Sequence, residues 1–115
     1  MKVELIYDEH CPNVEIARRR LAKAMQNAGP GHNWIEWNQA DAASPEYTRR
    51  FGSPTVLVDG RDVAGCSPGE AEGSCRLYRS VNGWEGAPAI ETIASALSQA
   101  AAHDASSGTS VTTSM

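Results

Sequence analysis

Lys2-Val3-Glu4-Leu5-Ile6-Tyr7, the loop Asp8-Glu9-His10, and then Cys11-Pro12-Asn13-Val14 form the stretch whose reading decides the fold. Val3, Leu5 and Tyr7 alternate with Lys2, Glu4 and Ile6, which is the period of a β-strand. Ile6 on the second face implies a strand covered on both sides. Pro12 suits a first helical position, where its missing N–H costs nothing. Val14, Ala17, Leu21, Met25 and Ala28 then recur at spacings of three and four, the stripe of an amphipathic helix. Arg18, Arg19, Arg20 and Lys23 fall mostly off that stripe and read as a solvated flank. Gly29-Pro30-Gly31 stops the helix.

Working outward, residues 33–38 read as a second strand carrying Trp34, Ile35 and Trp37. Tyr7, Trp34 and Trp37 read as core aromatics. A short helical piece is expected from Pro45 to Arg50. Thr55-Val56-Leu57-Val58-Asp59 is a β-branched run closed by Gly60-Arg61, and Asp62-Val63-Ala64 returns as the second arm of a hairpin. Residues 65–73 read as a loop, and Cys75-Arg76-Leu77-Tyr78 as a short extended piece. Pro88 opens a last helix with Ile90, Ile93, Leu97 and Ala101 as its stripe. From 103 to 115 the chain is small and polar, so the expected domain is 1–102, followed by a disordered tail. Two strands around a helix should be parallel through a right-handed crossover. With the hairpin, the order predicts an α/β domain with a mixed four-stranded sheet flanked by helices.

The bulk numbers exclude several classes. A chain of 115 residues suits one domain. A net charge of −4 argues against a nucleic-acid footprint, which needs a basic face. No apolar run reaches the roughly 20 residues that span a bilayer, and Glu4 and Asp8 interrupt what would be a signal peptide. The expected location is therefore cytoplasmic, with no nucleic acid and no membrane as partner. Three cysteines, Cys11, Cys66 and Cys75, are too few for a disulfide scaffold. No zinc spacing is present, and the reading requires neither a metal nor a cofactor.

Two motifs in this element order carry a resemblance. Cys11-Pro12-Asn13-Val14 lies between the first strand and the first helix, and Ser53-Pro54-Thr55 immediately precedes the third strand. Together with Cys75-Arg76-Leu77-Tyr78 the chain resembles, over residues 2–101, the thioredoxin-like superfamily in its short glutaredoxin-like form. The small bacterial thioredoxin-family group it resembles includes selenoproteins and proteins encoded near mercury-resistance genes. The resemblance implies a thioredoxin-like (glutaredoxin-like) fold, a redox-active Cys11, a cis peptide before Pro54, and substrate contacts from Pro12, Ser53, Pro54 and Thr55. Val14 stands where the family carries a second cysteine, so the dithiol cycle cannot run within the motif.

A thiolate is the attacking species in disulfide exchange. Cys11 placed like an N-cap would have its thiolate favoured by the N–H groups of Asn13 or Val14, with Asp8 and Glu9 opposing and His10 adjacent. Cys66 and Cys75 are further catalytic candidates: they could pair with each other, resolve Cys11, or stay as free thiols. Three functions follow. The first is a monothiol oxidoreductase acting on a disulfide-containing protein or on glutathione mixed disulfides. The second is a binding module without turnover, using the cleft between Cys11 and Pro54. The third is soft-metal capture, since two thiolates suffice for mercury(II).

Overall fold

The structure, a computed structural model, describes residues 1–29, 33–65, 78–80 and 83–112. The elements are β1 (Val3–Tyr7), α1 (Val14–Ala28), β2 (Ile35–Asn38), a 3₁₀ turn (Glu46–Arg50), β3 (Thr55–Val58), β4 (Arg61–Asp62), β5 (Tyr78–Ser80), β6 (Gly83–Glu85) and α2 (Ile90–Thr112). Strands β1 to β4 form one mixed sheet in the order β2-β1-β3-β4. β1 is parallel to β2, with Leu5 opposite Glu36, and antiparallel to β3, with Leu5 opposite Val56. The expected α/β architecture with its mixed four-stranded sheet is therefore present.

The alternation along β1 and β3 sorts their side chains onto two faces. Val3, Leu5, Val56 and Val58 face α1 and α2, joining Ala17, Leu21, Ala24, Met25, Ile93 and Leu97 in the main core. Ile6 and Leu57 face the other way and pack with Phe51, Tyr47 and Trp37 under the 3₁₀ turn. β1 is thus covered on both sides, as Ile6 implied, and Leu5 and Ile6 are each 0% exposed. Glu4 shares the second face and is buried. Its carboxylate accepts from Trp37 Nε1 at 2.8 Å and from the Tyr47 hydroxyl. Two donors satisfy a carboxylate that would otherwise be costly to bury.

The β3–β4 hairpin turns tightly at Asp59-Gly60, with φ of 51° and 81°. Paired positive φ values match the right-handed strand twist, which is why Asp-Gly recurs in such turns. Asp59 therefore leaves the strand to make the turn, and Oδ1 of Asp59 accepts from the Lys2 N–H at 2.8 Å. β4 ends at Asp62, short of the expected Ala64, and Val63 still donates to Val56.

Several expectations change. On α1 the buried stripe takes Ala24 and leaves Ala28 exposed, because the helix outruns the sheet beneath it. On α2, Ile93 and Leu97 are buried while Ala101 is exposed. The basic run is not wholly solvated. Arg18 grips Glu36 through Nε at 2.9 Å and Nη2 at 3.0 Å, also meets Glu15, and lies over the Tyr7 ring at 5.9 Å. That grip raises the Arg18 guanidinium and holds the Glu36 carboxyl below its usual range. Trp34 and Trp37 are half-buried on β2 and just before it, and Ile35 is exposed. The β5–β6 hairpin was not foreseen beyond an extended piece ending at Tyr78. Helical backbone continues through Thr112, past the expected boundary at 102, because each residue added to an existing helix gains a hydrogen bond. No helix among the described residues is long and apolar enough to cross a membrane.

Two outcomes test this packing. Leu5→Ala should cost about 2–5 kcal/mol in urea unfolding, the range for emptying a fully buried leucine site. The Tyr47 phenol is pushed up to about 12 from 10.0, first by burial and then by its hydrogen bond to Glu4. A raised folded value stabilises fully below pH 10.0 and is lost as pH climbs toward 12. The stability of the wild-type chain should fall across that window more steeply than that of Tyr47→Phe.

Candidate functional site

The β1–α1 loop is set by two local hydrogen bonds. The Asp8 carboxylate accepts from the His10 N–H, and the Asp8 carbonyl accepts from the Cys11 N–H, each at 2.9 Å. The result is a β-turn braced by an aspartate side chain. It sends adjacent residues opposite ways. The His10 side chain is 88% exposed and lies 3.5 Å from Glu9, whereas Cys11 is 7% exposed.

The 3₁₀ turn delivers the facing segment, Phe51-Gly52-Ser53-Pro54-Thr55, into β3. The Ser53–Pro54 peptide is cis, as the resemblance implied. Ser53 meets the β1–α1 loop twice. Its Oγ accepts from the Asp8 N–H at 2.8 Å, and its carbonyl oxygen accepts from Cys11 Sγ at 3.7 Å. Two segments separated by 42 positions in the chain are joined at one residue. Thr55 turns inward, its hydroxyl donating to the Gly52 carbonyl at 2.6 Å.

The placement of Cys11 differs in detail from the sequence expectation. The N-cap of α1 is Asn13, so Cys11 and Pro12 belong to the turn that precedes the helix. Pro12 does not occupy the first helical position because the loop needs those residues to swing Cys11 toward Ser53. Val14 is the first helical residue and is buried. Among the expected substrate contacts Pro12 is exposed, while Ser53, Pro54 and Thr55 are all buried. Cys66 and Cys75 lie outside the described residues.

A second set of contacts reaches the site from the β5–β6 hairpin. The Tyr78 hydroxyl donates to the Pro54 carbonyl. Glu85 pairs with Arg20 on α1, and Arg20 also donates to the carbonyls of Ala87 at 3.1 Å and Pro88 at 3.4 Å. Gly86 lies so close to the Asn13 side chain that a Cβ there would overlap it. Sequence reasoning missed these roles. Tyr78 stood in a segment recognised only as extended, and Arg20 in a run read as a solvated flank. A groove of about 570 Å³ between the β3–β4 turn and α2, lined by Asp59, Arg61 and Gln99 among others, is a separate feature that includes none of the Cys11 site.

Ser53→Ala removes the acceptor for the half-buried Asp8 N–H and should cost about 1 kcal/mol in urea unfolding, the size of a typical hydrogen bond's net contribution. An unchanged midpoint would mean that the loop is held without that bond. Compared with known proteins, the chain matches no protein-family model, no curated protein and no solved structure.

Proposed function

We propose that this chain is a monothiol thiol–disulfide oxidoreductase of thioredoxin-like, glutaredoxin-like architecture, with Cys11 as the nucleophile. The observation that carries the reading is the meeting of Cys11 Sγ with the Ser53 carbonyl at 3.7 Å. In the thioredoxin-like family that the sequence resembles, the reactive sulfur precedes the first helix and lies beside the backbone that leads into the third strand, and Cys11 and Ser53 stand at the matching places. The sheet order β2-β1-β3-β4 supports the same architecture.

The chemistry runs in two displacements. The Cys11 thiolate attacks one sulfur of a glutathione mixed disulfide. A Cys11–glutathione disulfide forms, and the protein substrate leaves as a thiolate. A second glutathione thiolate then attacks the glutathione sulfur, releasing oxidised glutathione and regenerating the Cys11 thiolate. Val14 in place of a second cysteine makes the external thiol necessary. A glutathione-driven cycle fits a reducing compartment. Ser53, through its backbone, and Pro54 would align the substrate as an added strand.

The burial of Cys11 favours a second reading, a binding module that uses the same cleft without turnover. Glutathione-coupled reduction of a mixed disulfide separates the two. Cys11→Ser should lower the rate to the uncatalysed level, and Val14→Cys should add a dithiol cycle that no longer needs glutathione for resolution. Full activity in Cys11→Ser, or none in the wild-type chain, would leave the binding module as the better account.

A further inference from the structure

We propose that Gly86 is a positioning residue for the Cys11 sulfur and acts through Asn13; this rests on the thiol–disulfide reading above. Asn13 follows Cys11 and Pro12 and is the N-cap of α1. An asparagine in that place ordinarily turns its side-chain oxygen onto the N–H groups of the first helical turn. Here the side chain makes no capping hydrogen bond. It lies over Gly86, where a Cβ built on the glycine would overlap its Cγ, Oδ1 and Nδ2.

Backbone conformation does not call for glycine at 86. Among the described residues Gly29, Gly60, Gly65 and Gly83 have positive φ, and Gly86 does not. The demand at 86 is for space, because a side chain and a backbone segment approach closely there.

The segment that carries this seat is anchored. Ala87 is buried in the main core, and Pro88 is fully buried. Arg20 donates to the carbonyls of both, at 3.1 Å and 3.4 Å. Asn13 and Arg20 are separated by about two helical turns and so lie on one side of α1. Residues 86–88 therefore meet α1 at its start and again further along, just before the chain enters α2 at Ile90.

The consequence reaches the sulfur through a short, stiff link. The Asn13 carbonyl accepts from the Ala17 N–H at 3.1 Å, so Asn13 is fixed as the start of the helix. Pro12 alone separates it from Cys11, and the proline ring restricts the backbone between them. Across the loop, Cys11 Sγ meets the Ser53 carbonyl at 3.7 Å. Seating Asn13 on Gly86 sets where the loop ends, and Ser53 sets where the sulfur rests.

The test compares Gly86→Ala, Asn13→Ala and the double variant in glutathione-coupled reduction of a mixed disulfide. Either single substitution empties the seat, and misplacement of a reacting group slows chemistry more than binding, so kcat should fall about three- to tenfold with KM within about twofold of wild type. Groups that act as a unit are not additive, so the double variant should be no slower than the slower single. Wild-type kcat in both singles, or losses that multiply in the double, overturn the proposal. If Gly86→Ala does not fold, Asn13→Ala decides, and a wild-type kcat there overturns it. The first displacement is read separately, as the rate at which oxidised glutathione modifies Cys11 in the full chain with Cys66 and Cys75 replaced by serine. In that step the Cys11 thiolate forms a disulfide with one glutathione and the other leaves as its thiolate. A wild-type chain that is modified but never turns over sinks the oxidoreductase, and the same pattern among the three variants is then read in the modification rate. Turnover without that pattern sinks only the role of Gly86.

Discussion

β1 is buried on both faces and paired on both edges, and the rest of the structure is arranged around that strand. Leu5 and Ile6 point in opposite directions and are each 0% exposed. One must meet helices and the other must meet something else, so a single helical layer cannot satisfy the strand. α1 and α2 cover the Leu5 face, and the 3₁₀ turn with Phe51, Tyr47 and Trp37 covers the Ile6 face. The 3₁₀ turn is therefore needed for burial, and its position obliges the chain to re-enter the sheet through Ser53-Pro54-Thr55. Because β3 lies antiparallel to β1, with Ile6 opposite Thr55, that entry point falls beside the exit of β1. The juxtaposition of Cys11 with Ser53 follows from the way the central strand is covered.

Ser53 and Asp8 are the hubs of the hydrogen bonds at that junction. Ser53 offers its hydroxyl oxygen to the Asp8 N–H and its carbonyl to the Cys11 thiol. Asp8 in turn accepts from His10 and Cys11. Backbone groups buried away from water require partners, and here the partners are supplied by the same few residues that hold the sulfur. The geometry that positions the thiol also closes the site.

Glu4 shows a related compromise on the far face. A carboxylate on a buried strand is a poor choice for stability unless its lone pairs are met. Trp37 and Tyr47 meet them from two different elements, so the group ties β2 and the 3₁₀ turn to β1. Arg18 and Glu36 do the same between α1 and β2, near the surface, in the bidentate geometry a guanidinium favours.

Much of the fold was legible in the sequence because it is written in local periods. The alternation in Val3-Glu4-Leu5-Ile6-Tyr7, the helical stripe through Ala17, Leu21 and Met25, and the Asp59-Gly60 turn each act over a few residues, and each appears in the structure. The position of Cys11 between β1 and α1 was equally visible. Its exact seat was not, since whether Cys11 or Asn13 caps the helix depends on how the loop is drawn toward Ser53. The tertiary structure alone decided that the Ser53 carbonyl receives the Cys11 sulfur, that Glu4 is shared by Trp37 and Tyr47, and that Arg20 holds the β5–β6 hairpin. Each of these joins residues from different elements. No local period encodes such a contact; it exists only after burial of β1 has brought those elements to one place.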